Sequence, residues 1–105
     1  MRGDIYRLRA AKTTQEPDKQ ERRYAVVLQA DYLPLTSVLV APTSTTCAPS
    51  SFRPTIKIDG MKTRVMVEQA AAVDVETRLG KFVGRVSPAG MQTIEKALRS
   101  VLALD

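Results

Sequence analysis

Two short stretches of this chain are apolar without alternation, and they constrain its fold more than any other feature. "YAVVLQ" (residues 24–29) and "TSVLVAP" (36–42) are rich in valine and leucine, with an aromatic residue at the start of the first. Runs of this length and composition read as strands buried on both faces, where a half-exposed strand would alternate. A sheet built around them needs cover on each side. Only the C-terminal segment has a helical period that can provide some of it. Ser87 is a good N-cap, Pro88 suits the first helical position, and Met91, Ile94, Ala97, Leu98, Val101 and Leu102 recur along one face. The spacing predicts one amphipathic helix of about four turns. Gly90 in its first turn counts against helix propensity.

The rest of the chain is punctuated. "DIYRLR" (4–9) reads as a short strand, although Ile5 and Leu8 do not share a period-two phase. Residues 10–23 are polar, contain Pro17 and have no apolar period, so they form a long exposed loop of the kind that is often functional. "DYLP" is a turn containing Pro34, and Pro42 is expected to end the second buried strand. Residues 43–54 are hydroxyl-rich and broken by Pro49 and Pro54, which predicts a loop. "TIKI" (55–58) alternates, and Asp59-Gly60 is a hairpin signal. Residues 63–73 continue as strand, 74–79 fit one helical turn, and 80–87 form a short strand flanked by glycines. Five or six short strands followed by one helix give a mainly β fold: a strongly bent sheet or small barrel with the helix packed on it. With 105 residues, 44% of them hydrophobic, residues 1–105 make one domain with one core.

Composition removes several kinds of chemistry. There is no histidine, so the commonest general base and the usual zinc ligands are missing. Cys47 is the single cysteine, which excludes an internal disulfide and reads as a small packing residue. The carboxylates Asp18, Asp31, Asp59, Glu68 and Asp74 are scattered, so neither a metal nor any other cofactor is expected. No apolar run approaches the roughly 20 residues of a membrane span, and the N-terminus lacks a signal-type run; the expectation is a cytoplasmic protein with no membrane partner. A formal charge of +5 favours anionic partners, nucleic acid first.

One local pattern stands out against this background. Glu21, Arg22 and Arg23 stand directly before a buried strand. Charges at a strand mouth can simply protect an edge. They can also be the rigidly mounted groups that meet a phosphate.

"RGDIY", "RRYAVVLQ" after a polar loop, "VLVAPTS", "VMVEQ" and a helix ending "ALRSVLAL" follow one another in this order. Together they resemble the MazF/PemK toxins of bacterial type II toxin–antitoxin systems. The resemblance covers nearly the whole chain. It implies a small SH3-like β-barrel of the MazF/PemK/CcdB type with a C-terminal helix, forming a homodimer. It implies metal-independent, sequence-specific endoribonuclease activity on single-stranded RNA, mainly messenger RNA, and a cognate antitoxin protein as partner. The alternative on the same fold is a toxin without cleavage activity, or one directed at a protein target as in the CcdB gyrase poisons.

Residue by residue, Arg23 takes the place of the family's arginine, with Tyr24 where proline is usual; Arg22 is adjacent. Ser44, with Thr43 beside it, takes the place of the hydroxyl residue past "VLVAP". Asp18 falls where the polar loop carries an acid. "VDVETRL" is about one residue longer than usual after "EQ", which leaves the register of 70–79 open. The chemistry fits these roles. Arginine's planar, permanently charged fork matches a phosphoryl group in the transition state and is a poor base. Ser44 would hold a phosphoryl oxygen or orient the 2′-hydroxyl, and Asp18 is a candidate base. Arg22, Lys19, Arg53, Lys57, Lys62 and Arg64 would line an RNA path, and Glu68 and Gln69 would read a base edge. Tyr6 and Tyr32 can stack on bases or pack in the core.

Overall fold

The computed structural model describes residues 1–9, 23–31 and 36–104. The expected polar loop 10–22, with Asp18, Lys19 and Arg22, and Tyr32 with its proline turn lie outside the described residues. The described residues form β1 (Asp4–Leu8), β2 (Tyr24–Val27), β3 (Ser37–Ser44), β4 (Thr55–Ile58), β5 (Met61–Val65), β6 (Ala71–Asp74), α1 (Val75–Arg78), β7 (Leu79–Arg85) and α2 (Pro88–Leu102). The strands pair antiparallel in the order β4-β5-β3-β2-β1-β7, with β6 also on β3. This is the expected mainly β fold: a curled antiparallel sheet, with the C-terminal helix packed against one of its faces.

β2 is buried on both faces because each face has its own cluster, whereas β3, expected to be buried throughout, alternates at its start and leaves Leu39 37% exposed. Val26, Leu28 and Ala41 point toward α2, where they meet Ile58, Val65, Val67, Met91, Ile94 and Ala97. Ala25, Val27, Val38 and Val40 point the other way, onto Leu79, with Tyr6, Leu8, Val73 and Val75 packed around them. The mixed phase of β1 follows from this. Ile5 belongs to the first cluster, while Tyr6 and Leu8 belong to the second. Tyr6 is a packing residue: its ring meets Phe82 edge-on at 5.6 Å.

Turn and cap chemistry agree with the sequence. Asp59 and Gly60 both have positive φ (53° and 79°), the conformation a two-residue hairpin turn requires. Ser87 Oγ accepts from the Gly90 amide at 3.0 Å, and Pro88 opens the helix. Asp74 caps α1 by accepting from the amide and the hydroxyl of Thr77, both at 3.0 Å.

Two expectations are corrected, and a third feature is explained. β3 runs through Pro42 to Ser44. Pro42 pairs with Ala25 of β2, and from Thr43 onward the strand pairs with β5. The proline's missing amide therefore falls where β3 exchanges one neighbour for another, and its carbonyl still accepts from Met66 at 2.8 Å. The stretch 63–73 is two strands, interrupted by a 3₁₀ turn at Val67–Gln69. Between the pairs Thr43–Val65 and Val40–Ala71, β3 advances three residues while its partner uses six, and the turn absorbs the surplus. Val67, 1% exposed, is thereby tucked into the core. Finally, Gly90 has a packing reason. A Cβ there would stand 2.7 Å from Val86 Cγ1, so only glycine lets the first turn of α2 sit this close to the strand before it.

Candidate active site

Where β3 changes neighbours the curled sheet opens into a cavity of about 420 Å³. Its walls are Arg23 and Tyr24 at the mouth of β2, the run from Thr43 to Cys47, Thr63 of β5, and Met66 and Gln69 around the 3₁₀ turn. Among the described residues Arg23 is the sole charged one of the lining, and Thr43, Ser44, Thr45, Thr46 and Thr63 contribute hydroxyls. A guanidinium among hydroxyls, with no carboxylate beside it among the described residues, is suited to a phosphate or an oxyanion.

Local structure fixes each part. The Arg23 carbonyl accepts from the Leu8 amide at 2.9 Å, which ties the arginine's backbone to β1 while its side chain stays exposed. Thr43 is 4% exposed, and its hydroxyl donates to the Tyr24 carbonyl at 3.2 Å. Thr43 thus braces the strand end that carries Arg23. Ser44 Oγ accepts from the amides of Thr46 and Cys47, at 3.1 and 3.0 Å. Both amides aim at its lone pairs, and the hydroxyl proton is left to a ligand or to Thr46 Oγ1, 3.5 Å away. Cys47, read from sequence as a packing residue, lines the cavity and helps hold Ser44 through its backbone.

Arg53 does not line this cavity. Its Nε and Nη2 donate to Glu68 Oε2 at 3.0 and 2.6 Å, and Nη1 donates to the Ala48 carbonyl at 3.0 Å. The guanidinium also lies 5.7 Å from the Phe52 ring centre. Expected on an RNA path, it is instead an internal strut joining the loop after Ser44 to the 3₁₀ turn that presents Gln69. Its acid is 15 residues away in sequence, so no local pattern signals the pair. Glu68 is committed to the same strut and is also absent from the cavity wall. Hydrogen bonding from Arg53 holds its carboxyl below the usual carboxylate range, against the opposing effect of burial. Glu68 Oε1 is buried and has no hydrogen-bond partner among the described residues. Gln69, by contrast, is in the wall. Arg64 is half-buried at the rim, with Nη1 donating to the Cys47 carbonyl at 3.3 Å. Lys57 is exposed on β4, outside the lining. Among the described residues no three cysteine or acidic side chains are grouped to hold a metal ion, and no helix is long and apolar enough to cross a membrane.

Fold and site together define a small β protein that mounts an arginine beside a hydroxyl-lined cavity at a strand switch. Comparison with known proteins makes this class specific. The model of the family described as PemK-like, MazF-like toxin of type II toxin–antitoxin system matches residues 1–102. A Mycobacterium tuberculosis protein named "Putative toxin Rv3098A/RVBD_3098A" is 33% identical over 104 residues, covering 99% of this chain and 98% of the relative. Among solved structures, an endoribonuclease from a mycobacterial species superposes with a TM-score of 0.79 at 19% identity, covering 99% of this chain and 91% of that one. The Mycobacterium tuberculosis toxin MazF-mt6 gives 0.79 at 18% identity, with 97% and 98% covered. A mycobacterial endoribonuclease solved with its cognate antitoxin gives 0.80 at 18%, with 100% and 96% covered. The chain belongs to the PemK-like, MazF-like family of type II toxins.

Proposed function

We propose that this toxin is an endoribonuclease that cuts single-stranded RNA, mainly messenger RNA, at a short sequence motif and without a metal ion. The observation that carries the reading is the cavity that brings Arg23 from β2 together with Ser44 from β3. Two structural neighbours are named endoribonucleases, which agrees with it. In the reaction the 2′-hydroxyl gives its proton to water as its oxygen attacks the adjacent phosphorus. The bond to the 5′-oxygen breaks and that oxygen takes a proton from water, leaving a 2′,3′-cyclic phosphate and a 5′-hydroxyl; negative charge builds on the phosphoryl oxygens in between. Arg23 offers that charge a bidentate, always-protonated partner. The Ser44 hydroxyl donates a hydrogen bond to a phosphoryl oxygen, and Gln69 reads a base edge. Single-stranded substrate follows from access, because side chains cannot read the deep groove of an A-form duplex.

The reading extends to partners. The protein acts in the cytoplasm as a homodimer, neutralised by a cognate antitoxin. In support of a second copy, Val101, Leu102 and Leu104 at the end of α2 are 38–58% exposed, apolar surface that association would cover.

The test is single-turnover cleavage of a long RNA in EDTA by the wild type, Arg23→Ala and Arg23→Lys, with circular dichroism as the fold control. Loss of one preorganised donor typically costs about 10²–10³ in rate. Lysine should restore little, because an ammonium lacks the fork. Primer extension across the products yields the motif. RNA left intact by a protein that still arrests growth would move the toxin to the class that attacks a protein target.

A further inference from the structure

The outer face of the β4–β5 hairpin carries three cations and no acid. Lys57 is paired directly with Lys62, and Thr55 with Arg64. Cross-strand partners share a face, and strand alternation puts these four together on one side. Ile58, Thr63 and Val65 occupy the other side and are buried. Like charges placed opposite one another weaken a hairpin. Yet among the described residues neither lysine has an ion-pair partner, Asp59 of the adjoining turn included. The arrangement therefore works against stability unless something anionic covers it.

The face also has a direction. Arg64 is the register partner of Ser44, and its contact with the Cys47 carbonyl sets its guanidinium at the cavity rim. Lys62 lies two residues further along β5, about 6.6 Å away, with Lys57 beside it. That step is comparable to the separation of successive phosphates in an extended single strand.

We propose that this face is an extension subsite for RNA. A strand held in the cavity continues over the hairpin, with Arg64 on the first phosphate outside and the Lys62–Lys57 pair clamping the next. The inference rests on the ribonuclease reading above. RNA is favoured over a protein partner because the face presents no apolar side chain, whereas the cores of protein interfaces are apolar and depleted in charge. A polyanion requires only spaced cations.

The test uses the full chain and the double variant Lys57→Gln/Lys62→Gln. Binding is read by anisotropy with 2′-O-methylated oligouridylates, which offer no 2′-hydroxyl for cleavage, one just filling the cavity and one several nucleotides longer. Release of one phosphate should lower the salt slope for the long probe by about 0.7. Over about 50 to 200 mM salt the loss of affinity then becomes roughly 2.5-fold less steep. The short probe should be unaffected. With motif-bearing RNA, KM for a long substrate should rise at unchanged kcat, and the melting temperature should hold or rise. An unchanged slope overturns the proposal and assigns the charges to something other than RNA. An equal loss for the short probe also overturns it, because the lysines would then belong to the cavity itself. A wild type that cleaves no RNA rejects the ribonuclease reading alone, since the anisotropy slope still decides the hairpin.

Discussion

Replacing Thr43 by valine separates bracing from chemistry at the center of the site. The two side chains have nearly the same shape, so the change removes one hydroxyl and little else. That hydroxyl is buried and donates to the Tyr24 carbonyl at 3.2 Å. Leaving a buried acceptor unpaired costs about 1–3 kcal/mol. The added methyl group returns about 0.8 kcal/mol of burial. The net loss is about 1 kcal/mol, and at this chain length it lowers Tm by about 4 °C. Because the hydroxyl braces the backbone beside Arg23 and does not face the cavity as a free donor, single-turnover cleavage should slow by less than about tenfold. Ser44→Ala should cost about 10²–10³ in rate, with a modest fall in Tm, because of the two amides it frees Thr46's is exposed and can turn to water while Cys47's is only part-buried. Thermal unfolding and single-turnover cleavage on the two variants decide the matter. If Thr43→Val keeps its Tm but loses activity while Ser44→Ala cuts normally, the two hydroxyls have been assigned the wrong way round.

Other outcomes follow from the packing and the internal ion pair. Gly90→Ala should lower Tm although alanine is the better helix former by about 1 kcal/mol, because its Cβ would crowd Val86 Cγ1 at 2.7 Å and Ser87 Oγ at 3.2 Å; a rise in Tm would show that Val86 moves aside freely. Glu68 has a depressed folded pKa, so its stabilisation is complete above the ordinary value of 4.5 and is lost as pH falls through the lower folded value. Acid unfolding followed by circular dichroism should therefore be steeper for the wild type than for Glu68→Gln, and coincident curves would remove the Arg53–Glu68 strut from the account. Arg53→Lys should weaken that strut and loosen Gln69, relaxing the cleavage motif seen by primer extension while cutting continues; an unaltered motif would show that the strut does not position Gln69.

Much of the fold was legible because its signals are local. Ser87, Pro88 and the period from Met91 to Leu102 define α2, and Asp59-Gly60 defines the hairpin. What was misread depends on partners distant in sequence. Pro42 looked like a terminator because sequence does not reveal that β3 is handed from β2 to β5 at that residue. The 3₁₀ turn was hidden inside an apolar run because Val67 is as apolar as its strand neighbours. At the site, Arg23 stood out as a charge at a strand mouth and Ser44 came only from the family resemblance; both line one cavity. Arg53 was read onto an RNA path because a cation beside a polar loop looks the same whether or not a glutamate folds against it. Tyr24, Thr63 and Met66 carried no signal of their own. The hydroxyl run Thr45–Thr46 directly after Ser44 was the one clue to the rest of the wall.

The handover at Pro42 means that core and site are stretches of one strand. Val38, Val40 and Ala41 anchor β3 in both clusters, and Thr43 and Ser44 follow within four residues. Core strands of this kind lie at the high-stability end of local opening. Ser44 is thus carried by one of the last parts of the sheet to open. Thr45 and Thr46, exposed in the loop that follows, lack that anchorage, so under the ribonuclease reading proposed above they are where substitution can reshape the cavity at least cost to the fold.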